Sequence, residues 1–139
     1  VDSRMRRQAL LDRTDPPAVH LVVGEAALRR QVGGPAVLAG QLRHVAEAVQ
    51  RPNVTVQIHP FQAGGHAALG SGFTLLGVPV GTNIKTWAYL EDLTRADLLD
   101  GEQHVSAYRL AFETLTETAL PERESIALLE SVAKDLEKQ

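Results

Sequence analysis

Seven side chains in this sequence have the types and spacing that could do chemistry: Glu25, His59, Phe61, His66, Trp87, Tyr89 and Glu91. A carboxylate at position 25 can hold a cationic or hydroxylated ligand, or act as a base. His59 and Phe61, with His66 a few residues on, place two imidazoles and an aromatic ring around Gly64-Gly65, a natural hinge. Trp87, Tyr89 and Glu91 recur at every second position, so on a strand they share one face. There an aromatic pair beside an acid can clasp the flat or cationic part of a ligand. Were the chain an enzyme, Glu25 and His66 would be its acid and base.

Each residue also has a purely structural reading. Glu25 can open a helical turn and favour its N-terminus electrostatically. His59 can face solvent, His66 can ride a mobile loop tip, and Trp87 and Tyr89 can pack against later helices. Tyr108 and Phe112 read as core. No complete catalytic or cofactor motif is present. Two histidines and an acid without tight spacing are a weak metal signal, and no pair has the helical spacing of a zinc protease. The stretch Gly64–Gly70 lacks the lysine and hydroxyl residue of a phosphate-binding P-loop. Ser71 and Ser106 have no nucleophile-elbow context. Neither cofactor nor metal is expected, and no catalytic residue is assigned.

The elements that must position these residues follow from periodicity. A polar segment, Asp2 to Asp12, reads as a short helix stopped by Pro16-Pro17. Ala18 to Val23 is a continuous apolar run rich in β-branched residues, expected as a strand covered on both faces. Gly24 breaks it, and Glu25 to Gln31 forms a helical turn. Pro35 suits the first turn of the next helix, where Leu38, Leu42, Val45 and Val49 recur at helical spacing. Val54, Val56 and Ile58 then alternate with polar residues as a strand with one face buried. A helix-bearing connection of about thirty residues predicts a right-handed parallel crossover. On that topology Glu25, His59, Phe61 and His66 lie at the carboxyl ends of the strands, where ligand crevices form.

Phe61 to Ser71 is a loop. Gly72 to Val78 and Ile84 to Glu91 are strands joined by a short turn into a hairpin, and Leu98-Leu99 is a further extended piece. Two helices close the chain, one with the stripe Val105, Tyr108, Phe112, Leu115 and Ala119, the other with Ile126, Leu129, Ala133 and Leu136. The expected class is α+β: a small mixed β-sheet with a parallel β-α-β crossover, a β-hairpin, and two C-terminal helices packed on it. Residues 1–139 are expected to form a single ligand- or partner-binding domain.

Composition narrows the function. The 139 residues are 44% hydrophobic and 22% charged, ordinary for a globular protein. The longest apolar runs fall far short of a membrane span, and no secretory signal is visible. With no cysteine, disulfides and thiolate metal sites are excluded. A net charge of −3 argues against direct nucleic-acid contact by this segment, Arg4, Arg6, Arg7 and Arg13 reading as a solvated helix face. The chain opens on Val1, which fits either a piece of a longer protein or a valine start codon.

A series of blocks carries a family likeness. Val22-Val23-Gly24-Glu25-Ala26-Ala27-Leu28-Arg29-Arg30, Gly33-Gly34-Pro35 with Gln41-Leu42, and Val54 to Phe61 come first. Gly70 to Leu76, Tyr89 to Thr94, Tyr108 to Phe112 and Pro121 to Ser125 follow. In this order they resemble the domain of unknown function found behind a small helix-turn-helix in actinobacterial Cro/repressor-like (XRE-type) regulators. The resemblance implies a cytoplasmic transcription regulator of antibiotic-producing bacteria, whose matching part senses a small-molecule effector or contacts a small partner protein. It brings no established catalytic residue, but Glu25 and Glu91 match acidic positions of the pattern. Two departures stand out: the DNA-binding part is absent from this chain, and Lys85 and Trp87 occupy what resembles a plain β-branched run.

The expected function is therefore the effector-sensing or partner-binding domain of a helix-turn-helix transcription regulator. The alternative is a stand-alone biosynthetic enzyme, a cyclase or isomerase derived from such a domain and using the same pocket. A homodimer through the last two helices is a further possibility.

Overall fold

The structure, a computed structural model, describes residues 2–66 and 68–139. Val1 and Ala67, the latter within the glycine-bearing loop, lie outside the described residues. In order the elements are α1 (Asp2–Gln8), β1 (Val19–Gly24), α2 (Glu25–Arg29), α3 (Pro35–Ala48) and β2 (Val54–His59). After these come β3 (Phe73–Val80), β4 (Asn83–Glu91), β5 (Ala96–Leu99), α4 (Glu102–Thr118) and α5 (Glu122–Leu136). Short 3-10 turns at Ala9–Asp12 and Phe61–Ala63 follow α1 and β2. The class is α+β, with the parallel crossover, the hairpin and both C-terminal helices in place.

The strands form two sheets where one mixed sheet was expected: a parallel pair β1-β2 and an antiparallel β3-β4-β5. The chain correspondingly gathers into two compact units, 1–62 with 119–139, and 63–118. The long glycine-bearing loop after His59 carries the chain out of the first sheet before the hairpin begins, so the parallel and antiparallel ladders never share an edge.

In the first unit, Pro35 stands at the start of α3, and Gly34 precedes it at φ +92°, a conformation that favours glycine. The apolar stripe of α3 buries Leu38, Ala39 and Leu42. They join Val54, Val56 and Ile58 of β2 and Leu129, Val132, Ala133 and Leu136 of α5 in one core. Each of the leucine, valine and isoleucine side chains among them contributes about 1.5–3 kcal/mol when fully buried. β1 is less covered than its apolar run suggested, and Leu21 is 47% exposed. The reason is that α5 packs against β2 and α3, making β2 the more deeply buried strand of the pair and leaving β1 partly uncovered.

The outer edge of β2 has no third strand, and the chain meets it another way. Leu120 N–H donates to Ile58 C=O at 2.9 Å. The Ser125 hydroxyl accepts from Ile58 N–H at 2.9 Å and donates to Leu120 C=O at 3.1 Å. Gln57 Nε2 donates to the same carbonyl at 3.1 Å. Ser125 is fully buried on the face of α5 expected to be wholly apolar, while Ile126 is only half-buried. A buried backbone donor must be paired, and Ser125 supplies the acceptor that a neighbouring strand would otherwise give.

In the second unit β3 and β4 are joined by the two-residue turn Gly81-Thr82. Gly81 takes φ +61° while Thr82 keeps a negative φ, the pattern of a type II′ hairpin. β5 pairs only with Ala88–Glu91 of β4. One face of this sheet packs on α4, with Ala88 and Val105 buried and Phe73 tilted against Tyr108 at 5.0 Å.

Ser125→Ala leaves the Ile58 N–H without its acceptor in a site closed to water. The variant is expected to lose about 1–3 kcal/mol of stability, read as a lowered urea midpoint with an unchanged slope. A midpoint equal to that of the parent would show that the hydroxyl is dispensable.

Candidate functional site

The parallel pairing sets Gly24 opposite His59, which places Glu25 and Phe61 at the carboxyl ends of β1 and β2. Glu25 is the first residue of α2 and is 8% exposed. One carboxylate oxygen, Oε1, accepts from Arg29 Nε at 2.9 Å and Nη2 at 2.7 Å. The other, Oε2, accepts from the backbone N–H of Phe61 at 3.0 Å. Continued pairing would bring residue 25 opposite residue 60, just before Phe61. The chain turns into α2 instead, and the side chain supplies an acceptor in place of the lost backbone one. The Phe61 N–H, joined by the Arg29 guanidinium and opposed by burial, holds the Glu25 carboxyl below its ordinary value of 4.5. His59 is buried at 4% exposure, whereas the Phe61 ring is 59% exposed.

The remaining candidates lie in the second unit. His66 is half-buried in the loop, and its Nδ1 accepts from Ala68 N–H at 3.2 Å. Trp87, Tyr89 and Glu91 share the face of β4 opposite Ala88, as their spacing required. By register that face also carries Leu76 and Val78 of β3 and Leu98 of β5, all more than 40% exposed. Lys85, on the same face, sets its ammonium 4.2 Å from the centre of the Trp87 ring. Its other contact is Asp100, at 2.7 Å, whose carboxyl it holds below the ordinary range.

The second unit also holds a groove of about 360 Å³. Its lining includes Val80 at the end of β3, Ile84, Lys85 and Thr86 at the start of β4, and Glu102, Val105 and Arg109 on α4. Arg109 Nη2 donates to Thr86 Oγ1 at 2.7 Å, which orients the guanidinium. Among the described residues Arg109 has no carboxylate partner. Asp100 is matched by Lys85, and Glu102 accepts from the Ser106 hydroxyl at 3.0 Å.

The structure thus gathers Glu25, His59 and Phe61 in one unit and aligns Trp87, Tyr89 and Glu91 on one strand face in the other. Sequence reasoning missed Arg29, Thr86, Arg109 and Ser125. For Arg29 there was a signal, since it lies four residues after Glu25 on a helical turn. Arg109 follows Val105 by the same interval, but nothing local to α4 reveals that Thr86 faces it. Among the described residues no three histidine or acidic side chains converge as metal ligands, and no helix is long and apolar enough to cross a membrane.

Glu25→Ala is expected to cost about 1.5–3 kcal/mol, because it removes a charged acceptor from both Phe61 N–H and Arg29. The pH dependence has a definite sign. A carboxylate whose pKa is lowered on folding stabilises the native state fully above its unfolded value, and that contribution is lost as pH falls through the folded pKa. Urea denaturation of the parent should therefore show a loss below about pH 4.5 that is smaller in Glu25→Gln. Identical acid profiles would show that the carboxylate charge is not used.

No curated protein and no solved structure matches the chain. Residues 1–131 match the family described as "Domain of unknown function (DUF5753)", and the chain belongs to that family.

Proposed function

We propose that this chain is the effector-sensing or partner-binding domain of an XRE-type helix-turn-helix transcription regulator of actinobacterial origin, working in the cytoplasm. The observation that carries the reading is the groove of the second unit. A strand edge and a helix wall it, apolar side chains line it, and it holds an oriented guanidinium with no carboxylate partner among the described residues. Such a concavity, with a few placed polar groups, is built for recognition. The family membership and the order of the sequence blocks support the regulator context.

The state of Glu25 favours binding over catalysis. Proton transfer is served best by a group whose pKa lies near the working pH. The Glu25 carboxylate is instead favoured in its ionised form, with one oxygen held by Arg29 within α2 and the other tying α2 to the segment after β2. A net charge of −3 is consistent with DNA contact residing in a separate, basic domain.

In the source cells the native protein should be heavier than these 139 residues by the mass of a small helix-turn-helix domain. It should retard DNA from upstream of its own gene in a mobility-shift assay, while the 139-residue chain alone should not. A native protein of the mass of this chain, without DNA binding, would overturn the regulator reading.

A further inference from the structure

β4 has nine residues, but its partner β5 covers only Ala88–Glu91. Among the described residues, nothing pairs with Asn83–Trp87 on that side. The direction of the backbone groups along this free half follows from the two turns that bound the strand. Val80 and Asn83 close the two-residue turn, so Asn83 directs its N–H and C=O toward β3. At the far end Asp92 N–H donates to Arg95 C=O at 2.9 Å, so Asp92 directs its groups toward β5. Alternation between these fixed points aims the N–H and C=O of Ile84 and Thr86 away from β3, along the track that β5 has left. That track is the groove, with α4 as its second wall.

The opposite edge of the same sheet is blunted near the turn. The same alternation turns Pro79 outward on β3, where its ring occupies the place of a donor. The free half of β4 has no proline and ends beside Arg109. An exposed edge of this kind is a template for an added strand.

We propose that the groove takes an extended segment of a partner protein, added as a strand to Ile84–Thr86, with an acidic side chain held by Arg109. This rests on the binding-module reading and names the chemistry of the partner. A segment continuing the direction of β5 runs antiparallel to β4 and meets Thr86 before Ile84. Paired residues point to the same side of a sheet. The residue opposite Thr86 therefore projects to the side on which the Thr86 hydroxyl meets Arg109, where charge favours a carboxylate. The residue opposite Ile84 projects to the same side, beside the apolar lining of Ile84 and Val105. The intervening residue projects to the other side, where Lys85 is already matched by Asp100 and contributes no demand. The recognised pattern is acid, any residue, aliphatic.

The probe is a capped peptide of about six residues centred on Glu-Thr-Leu, long enough for one short strand, titrated into the 139-residue chain. Binding should shift the amide resonances of Ile84 and Thr86, and Arg109→Ala or a Lys-Thr-Leu peptide should weaken it about tenfold. N-methylation of the peptide's Glu and Leu amides, which face β4, should abolish binding. Methylation of the central Thr amide, which faces away, should leave it largely intact. These peptide variants leave the protein untouched, so loss of binding cannot be ascribed to a misfolded mutant. Absence of binding, equal binding of the Lys-Thr-Leu peptide, or shifts confined to the Trp87–Tyr89 face would each overturn the proposal. Pairing of two copies through β4 would overturn it as well, and would appear as concentration-dependent shifts at Ile84 without peptide. Mobility shift by the native protein reports separately on the regulator reading, so either can fail while the other stands.

Discussion

The first unit depends on satisfying the backbone of a sheet that has only two strands. Such a sheet leaves about half of its backbone hydrogen-bonding groups without a ladder partner, and a buried N–H or C=O left unpaired destabilises about as much as a lost hydrogen bond. β2 runs through the core, so water cannot make up the deficit there. Ser125 meets it on one side by accepting from Ile58 N–H while donating to Leu120 C=O. Glu25 meets it at the strand's end by accepting from Phe61 N–H. Both are polar side chains doing the work of a missing strand, and both tie segments distant in sequence. Ser125 ties the C-terminal helix to β2, and Glu25 ties the first βα turn to the segment after β2. The apolar core around Leu28, Ile58 and Leu129 can close because these two groups have removed the cost of burying β2.

The second unit solves the same problem differently and less completely. Three antiparallel strands cover one another's edges along part of their length, and α4 covers one face. β5 is short, and the turn at Asp92–Arg95 that sets its register leaves the beginning of β4 unpaired. The Asp92 carboxylate stabilises that turn by accepting from the N–H groups of Thr94 and Arg95 at 2.8 and 3.1 Å. Natural proteins blunt exposed edges with proline, charge or cover. β3 carries Pro79, whereas the free half of β4 has the charged Lys85 on one side and the open groove on the other. An edge left open beside a wall of complementary chemistry is a different object from one left open to solvent.

Much of this was legible in the sequence wherever a periodicity was strong. The stripe Leu38, Leu42, Val45 and Val49 placed α3, the alternation of Val54, Val56 and Ile58 placed β2, and the length between β1 and β2 implied their parallel pairing. The hairpin followed from the glycine of its turn. Burial was read less well, because it depends on what packs where. The apolar run Ala18–Val23 looked interior, yet Leu21 of β1 is half exposed, and Ser125, outside the apolar stripe read for the last helix, is among the most buried groups. Polar side chains that substitute for backbone carry no periodic signature, since their meaning lies in a partner that tertiary structure alone supplies. Arg109 and Thr86 are separated by 23 residues, and neither has a local reason to be noticed. The division into two sheets was hidden for the same reason, as strand order within a sheet is not a property of any one strand.

Glu25 and Arg109 show why charge type alone is a poor guide to function. Both are ionic side chains held by a hydrogen bond to a neighbouring strand or loop, and both sit next to the end of a strand. The Glu25 charge is almost wholly removed from water and answered on both oxygens by Arg29 and Phe61, so a ligand would have to break existing bonds to reach it. The exposed Arg109 guanidinium is oriented by one neutral hydroxyl, with no carboxylate against it among the described residues, so an incoming anion displaces water from it but breaks no ion pair within the protein. The difference in free energy between these two cases is the loss of existing protein hydrogen bonds that the first demands and the second avoids. By that criterion the binding we propose is favoured at the unpaired half of β4, while the carboxylate beside β1 is already committed to contacts within the fold.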